Sequence, residues 1–175
     1  MELRCNFVLK DGFMKKKEIS IVVLQYTGLS GMPEEDQCLI RLAREAAQKA
    51  YAPYSGFKVG AALRLADGQS VTGNNQENAS FPAGCCAERT VLHWANANFP
   101  GTAVEAIAIA AFDSEGHQVA GVSPCGICRQ ALLETELRFA KPIRVLLDGA
   151  DSVNVLDNAE SLLPLRFDGG SLNSR

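Results

Sequence analysis

No apolar run in the 175 residues is long enough to cross a bilayer, and there is no glycine-rich phosphate loop, internal repeat or low-complexity tract. An excess of one charge is missing too: 17 Lys and Arg stand against 20 Asp and Glu, for a formal net charge of -3. Such a chain has little electrostatic attraction for nucleic acid, so small substrates are favoured over polynucleotides. Histidine is scarce. His93 and His117 are the two present, and lone histidines on a helix or in a Gly-containing loop read as ordinary surface or core residues, outside the chemistry.

What remains is the composition of a globular enzyme, 47% hydrophobic and 21% charged, at a length that suits one domain with a sizeable core. The cysteines are Cys5, Cys38, Cys85, Cys86, Cys125 and Cys128. Two of them form a CxxC beside helix-like sequence, which fits metal or redox chemistry in a reducing compartment better than an exported disulfide framework. The expected location is cytoplasmic, with no membrane partner. Lys15-Lys16-Lys17 before the apolar Ile19 to Leu24 has the outline of a signal peptide, but the apolar run is short and Glu18 interrupts the basic flank. Residues 1–33 are set apart as an N-terminal extension of unassigned role, in which Met14 offers a second possible start.

The pattern along the chain predicts an α/β fold. Glu18 to Leu24 is rich in β-branched residues and reads as a short strand or apolar arm. From Glu34 to Tyr51, Leu39, Leu42, Ala43, Ala46 and Ala50 mark one apolar helix face, ended by Pro53. Phe57, Val59, Ala61, Leu63 and Leu65 alternate with period two, and Asp67-Gly68 signals a hairpin to a second strand, Gln69 to Gly73. A polar loop, 74–84, leads to a helix from Cys86 to about Asn98. Val104 to Ala111 is apolar throughout, as a central strand covered on both faces would be. A further helix runs from Pro124 to about Phe139, and Ile143 to Leu147 is another buried strand. The order β-β-α-β-α-β predicts a three-layer α/β/α sandwich around a mixed sheet. The catalytic domain is taken as 34–168 and the Gly, Ser and Asn-rich 169–175 as a loose tail.

Chemistry concentrates in Cys86-Ala87-Glu88-Arg89 and Pro124-Cys125-Gly126-Ile127-Cys128-Arg129-Gln130. Three cysteines make the ligand count of a catalytic zinc site, which keeps one position open, whereas a structural site is filled by four. Each cysteine lies at a predicted helix start, where the partial positive charge favours thiolate. Three thiolates weaken the ion as a Lewis acid, and Arg89 and Arg129 are placed beside the ligands to offset that charge by donating to the sulfurs. Glu88 is too close to Cys86 to share the ion comfortably but well placed to shuttle a proton at a water beside it.

The stretch from Ala52 to Phe167 resembles the cytidine deaminase family. The resemblance is carried by Tyr54-Ser55-Gly56-Phe57-Lys58-Val59-Gly60-Ala61-Ala62, Asn75-Gln76-Glu77-Asn78-Ala79-Ser80, Cys86-Ala87-Glu88-Arg89-Thr90, the PCGICRQ segment and Leu162-Leu163-Pro164-Leu165-Arg166-Phe167. It implies one zinc per chain on Cys86, Cys125 and Cys128, with Glu88 as acid and base. Where polynucleotide and nucleotide deaminases commonly carry His, this chain has Cys86, which implies free nucleosides. It further implies ribose contacts from Asn75 and Glu77, Phe57 stacked on the pyrimidine, and the Ala87 main chain at the base. In the homotetrameric branch, Ala79, Phe81 and Phe167 act across an interface. A homotetramer, rather than a dimer, is the implied assembly, acting in pyrimidine salvage. Phe81 stands where the family often has Tyr.

Other readings of the same residues are a redox dithiol at Cys125 and Cys128, a structural zinc with Cys85 as fourth ligand, and a deaminase of a cytosine-containing antibiotic. The first lacks a thioredoxin-like start, and the second requires adjacent cysteines to converge on one ion and leaves Glu88 without a role. The Asn75 to Asn78 segment argues against the third.

Overall fold

The computed structural model describes residues 15–172, so Cys5 and Met14 lie outside it. The elements in chain order are β1 (Leu24–Tyr26), α1 (Glu34–Gln48), β2 (Lys58–Leu65), β3 (Ser70–Asn74), α2 (Ala87–Asn98), β4 (Val104–Phe112), α3 (Gly126–Phe139), β5 (Arg144–Asp148), β6 (Val153–Leu156) and α4 (Gly169–Leu172). The described strands form one six-stranded sheet, ordered β1-β6-β5-β4-β2-β3. β4 and β5 run parallel and every other neighbouring pair is antiparallel, so the sheet is mixed.

Period-two patterning decides what each face buries. Ala61, Leu63 and Leu65 of β2 and Ile107 and Ile109 of β4 point to the face covered by α2 and α3. The alternate positions, Ala62, Ala106, Ala108 and Ala110, point to α1. The sandwich is therefore asymmetric, with large side chains under two helices and small ones under the other. Gly60 completes the small face, because a Cβ there would lie 2.0 Å from the Ala43 carbonyl oxygen. The close approach of α1 to β2 requires glycine at that position.

α1 forms because Leu39, Ile40, Ala43, Ala46 and Ala47 make one buried stripe and Glu34, Glu35 and Asp36 complement the helix dipole in its first turn. The expected helix to Tyr51 stops earlier, at Gln48. Tyr51 leaves the helical path because its N–H donates to the Asn75 carbonyl and its carbonyl accepts from the Glu77 N–H, at 3.1 and 2.8 Å. Asp36, 1% exposed, receives Arg64 at 3.2 Å and Arg144 at 3.0 Å, tying α1 to β2 and β5.

The other departures have similar causes. Of the two readings of Glu18 to Leu24, the arm describes residues 18–23, which are exposed and carry no regular structure, and the strand lies at Leu24–Tyr26, the three residues with partners on β6. β6 itself was not anticipated, and neither was the helical turn Gly169–Leu172 in the tail expected to be loose. The hairpin of β2 and β3, the central β4 and the two helices behind the cysteines stand where the pattern put them.

Candidate active site

Cys86 and Cys125 occupy the same local position, the N-cap of a helix. Cys86 precedes α2 with φ -69 and ψ 152, and Cys125 precedes α3 with φ -65 and ψ 166. Neither side chain makes a capping hydrogen bond, which leaves both sulfurs free at the helix mouths. Cys128 joins them from the first turn of α3. Its Sγ lies 3.5 Å from that of Cys125, which in turn lies 3.8 Å from Cys86 Sγ, and all three fall within 4.8 Å of one another. Tetrahedral zinc bonded to sulfur at about 2.3 Å sets sulfur separations of about 3.8 Å. Donor type and spacing both fit zinc, and among the described residues no fourth histidine, cysteine or carboxylate joins the group.

The electrostatics agree. A hydrogen bond with Cys128 outweighs burial and, with Cys125 and the Arg89 guanidinium adding to it, brings the Cys86 thiol down to about 5. The same bond with Cys86, then burial, pushes the Cys128 thiol up. Arg89 Nε is buried with no hydrogen-bond partner, while Nη2 reaches the Gly84 carbonyl at 3.4 Å. A buried donor left over beside thiols suits a cluster that carries negative charge when metal is bound.

Arg129 was expected to do the same and has another task. Its Nε donates to the Pro124 carbonyl at 2.8 Å and its Nη1 to the Leu162 carbonyl at 3.0 Å, clipping α3 to the chain that follows β6.

Beside the sulfurs is a cavity of about 240 Å³ lined by Phe57, Asn75, Glu77, Cys86, Ala87, Glu88 and Cys125, together with Ser55, Val59, Ile109, Val122 and Ser123. Glu88, 5% exposed at the start of α2, has its carboxyl raised above the usual range by burial first and by the Cys86 charge second. Asn75 Oδ1 accepts from the Val59 N–H at 2.7 Å and its Nδ2 donates to the Phe57 carbonyl at 2.9 Å, fixing the start of β2 and with it Phe57. Glu77 accepts from the Tyr54 and Ser55 N–H groups and from Ser55 Oγ, the last at 2.5 Å. These bonds, Ser55 Oγ foremost, hold the Glu77 carboxyl below the usual range.

The cavity opens into a groove of about 580 Å³ that adds Tyr54, Phe81, Pro82 and Ile127. Phe81 packs edge-on against Tyr54 there and is 75% exposed. Ala79 is exposed and lines neither space; Phe167 is exposed as well, its carbonyl accepting from Gln130 at 2.9 Å. These three residues are thus outside the cavity of a single chain. Ser55, Val122 and Ser123 also line this cavity; the first lies in the Tyr54 to Ala62 motif and the other two directly precede Pro124, but nothing in their residue types marks them as site residues in the sequence.

Residues 33–141 match the family described as the cytidine and deoxycytidylate deaminase zinc-binding region. Over 117 residues the chain is 41% identical to a cytidine deaminase of Mycobacterium tuberculosis, covering 65% of this chain and 84% of that one. Over 98 residues it is 45% identical to a cytidine deaminase of Halalkalibacterium halodurans, covering 56% and 70%. Among solved structures, the cytidine deaminase of Burkholderia pseudomallei aligns with a TM-score of 0.64 at 41% identity, over 78% of this chain and all of that one.

Proposed function

Because the chain belongs to the cytidine and deoxycytidylate deaminase family, we propose that it hydrolyses cytidine and 2′-deoxycytidine to uridine and 2′-deoxyuridine with release of ammonia, using one zinc per chain. The observation that carries this reading is the cavity in which Glu88 meets Phe57, Asn75 and Glu77 beside Cys86 and Cys125. It joins a proton carrier, an aromatic face and ribose-matching polar groups in one space.

The family includes deaminases of nucleosides and of a nucleotide, and charge separates the two. Arg89 is the one cation among the described residues lining the cavity and groove, and it lies against the cysteine sulfurs. A 5′-phosphate would find no free basic partner, so the uncharged nucleoside is the better fit.

Cys86, Cys125 and Cys128 hold the zinc, which when bound supplies the Lewis acidity that readies water for attack at C4. Phe57 stacks on the pyrimidine, and its place depends on the two bonds from Asn75 to the β2 backbone. Asn75 and Glu77 face the ribose hydroxyls, and the Ala87 main chain meets the base. Glu88 moves the protons: its carboxylate accepts one as water adds and passes it to N3, then takes the hydroxyl proton of the C4 adduct and delivers it to the amino nitrogen, which leaves as ammonia while the C4 carbonyl forms. Burial helps this role, because a carboxyl with an ordinary pKa would hold a proton too weakly to return it near neutrality.

The same reading covers the assembly. Tyr54, Phe81, Ile127, Leu165 and Phe167 are large, apolar and exposed, and a homotetramer in which Ala79, Phe81 and Phe167 complete a neighbour's pocket would cover them. The free thiols of Cys38, Cys85, Cys86, Cys125 and Cys128 suit a reducing compartment. Pyrimidine salvage in the cytoplasm is the proposed setting.

Ammonia release and loss of cytosine absorbance, followed with cytidine, deoxycytidine, dCMP and blasticidin S on zinc-assayed protein, test the proposal. Turnover of the two nucleosides is expected. Turnover of dCMP or blasticidin S alone, or of none of the four at one zinc per chain, would refute it.

A further inference from the structure

The cavity wall made by Val122 and Ser123 belongs to the connection from β4 to α3, which ends on the ligand Cys125. This connection is bonded on either side of the wall. Val119 donates to the Ala111 carbonyl and accepts from the Ala150 N–H, both at 3.1 Å, while the Pro124 carbonyl accepts from Arg129. Between them, residues 121–123 make no backbone-to-backbone hydrogen bond among the described residues. Their position is set by what they lie against, the end of β5.

There the backbones almost touch. A Cβ on Gly149 would lie 2.4 Å from the Gly121 nitrogen and 3.1 Å from its Cα, and a Cβ on Gly121 would lie 3.1 Å from the Leu147 carbonyl oxygen. Gly149 is not among the residues with positive φ, so the absence of a side chain answers to close approach and not to a backbone angle. The end of β5 is the firmer partner. Asp148 is fully buried, receives Arg44 through two bonds of 2.7 and 2.8 Å and Gln118 Nε2 at 2.6 Å, and pairs with Val153 of β6 and Ala110 of β4. If the two segments are forced apart, residues 121–123 give way.

We infer that Gly149 is a positioning residue for the reaction: its lack of a side chain seats residues 121–123 against β5 and so places Val122 and Ser123 as the cavity wall facing Glu88. The inference rests on the deaminase reading for its kinetic consequence alone. Misplacing a substrate-facing group by about 1 Å can cost on the order of a hundredfold in rate. Cys125, at the start of α3, keeps its backbone bond to the Arg129 N–H at 2.9 Å, so zinc should stay bound.

Gly149→Ala and Gly101→Ala test this, since a Cβ at Gly101 meets nothing within 4 Å. In zinc-loaded protein without substrate, the amide resonances of Val122 and Ser123 should shift in Gly149→Ala and stay in place in Gly101→Ala. With cytidine, kcat/KM per bound zinc should fall at least about threefold in the first variant alone. Unmoved resonances, or a smaller fall, would overturn the inference. Should wild type not turn over cytidine, the deaminase reading fails, and the resonances by themselves decide the role of Gly149. If Gly149→Ala does not fold, Gln118→Ala frees the connection from Asp148 without adding bulk. It should move the same two resonances, and their staying fixed would overturn the inference.

Discussion

The Cys86 and Cys125 sulfurs lie 3.8 Å apart across a sequence separation of 39 because each residue caps a different helix and the two helices begin at one point. The group able to hold a metal is therefore made by α2 and α3 together, and Cys128 is its buried third member.

Cys128→Ala should weaken zinc binding by more than the roughly 10 to 100-fold typical when a partner behind the ligands is lost. Competition with a chromophoric chelator measures this. Wild-type affinity in the variant would remove Cys128 from the ligand set.

Glu88→Gln keeps the shape of the side chain and removes its charge. Turnover should drop by at least about 10² to 10⁴-fold, the usual share of a general acid and base, with zinc content unchanged. Because burial disfavours the carboxylate at this position, the variant should melt no lower than wild type at neutral pH. A variant with near-normal kcat would end the assignment of Glu88 as proton carrier.

Arg89 and Arg129 should separate cleanly. Arg89→Ala removes the guanidinium beside the sulfurs and should lower zinc affinity about 10 to 100-fold. Arg129→Ala breaks two bonds to carbonyls, each contributing about 1.5 to 3 kcal/mol when the donor is charged, and should lower the melting temperature while leaving zinc affinity within about twofold. Equal effects of the two on zinc would contradict the different partners found for them.

Glu77 sets an acid limit. Its carboxyl is held below the usual carboxylate range by Ser55 Oγ and the Tyr54 and Ser55 N–H groups. A depressed folded value means the bonds contribute stability above the unfolded pKa, lost as pH falls through the folded one. Melting temperatures taken from pH 6 down to 3 should fall less steeply below about pH 4.5 in Glu77→Gln than in wild type. Parallel curves would show that Glu77 is not bonded in this way.

Features readable in the sequence were local or carried by a compact motif. Asp67-Gly68 sets its hairpin within a few residues, and β4 announces two covered faces by being apolar throughout. Helix starts after Cys86 and Cys125 follow from the flanking residues. What escaped depends on distant partners. The end of α1 is decided by the bonds of Tyr51 with Asn75 and Glu77, and the buried Asp148 takes its meaning from Arg44, 104 positions away. β6 is short, and its Val-Asn-Val alternation after the Gly149 to Ser152 turn is a faint signal beside the longer strands. For Arg129, adjacency to a ligand suggested a sulfur partner, whereas the fold supplies carbonyls. Phe57 and Asn75 were legible only together with the other motifs, since either residue alone is as well explained by packing or a turn.

Leu24–Tyr26 precedes the region shared with the family, yet it occupies the end of the sheet against Val153–Val155. A protein trimmed to begin at Glu34 would leave that side of β6 with unpaired backbone donors and acceptors, a template for strands from other molecules. Trimming should therefore cost solubility before activity, because the sulfurs and Glu88 belong to other elements, α2 and α3.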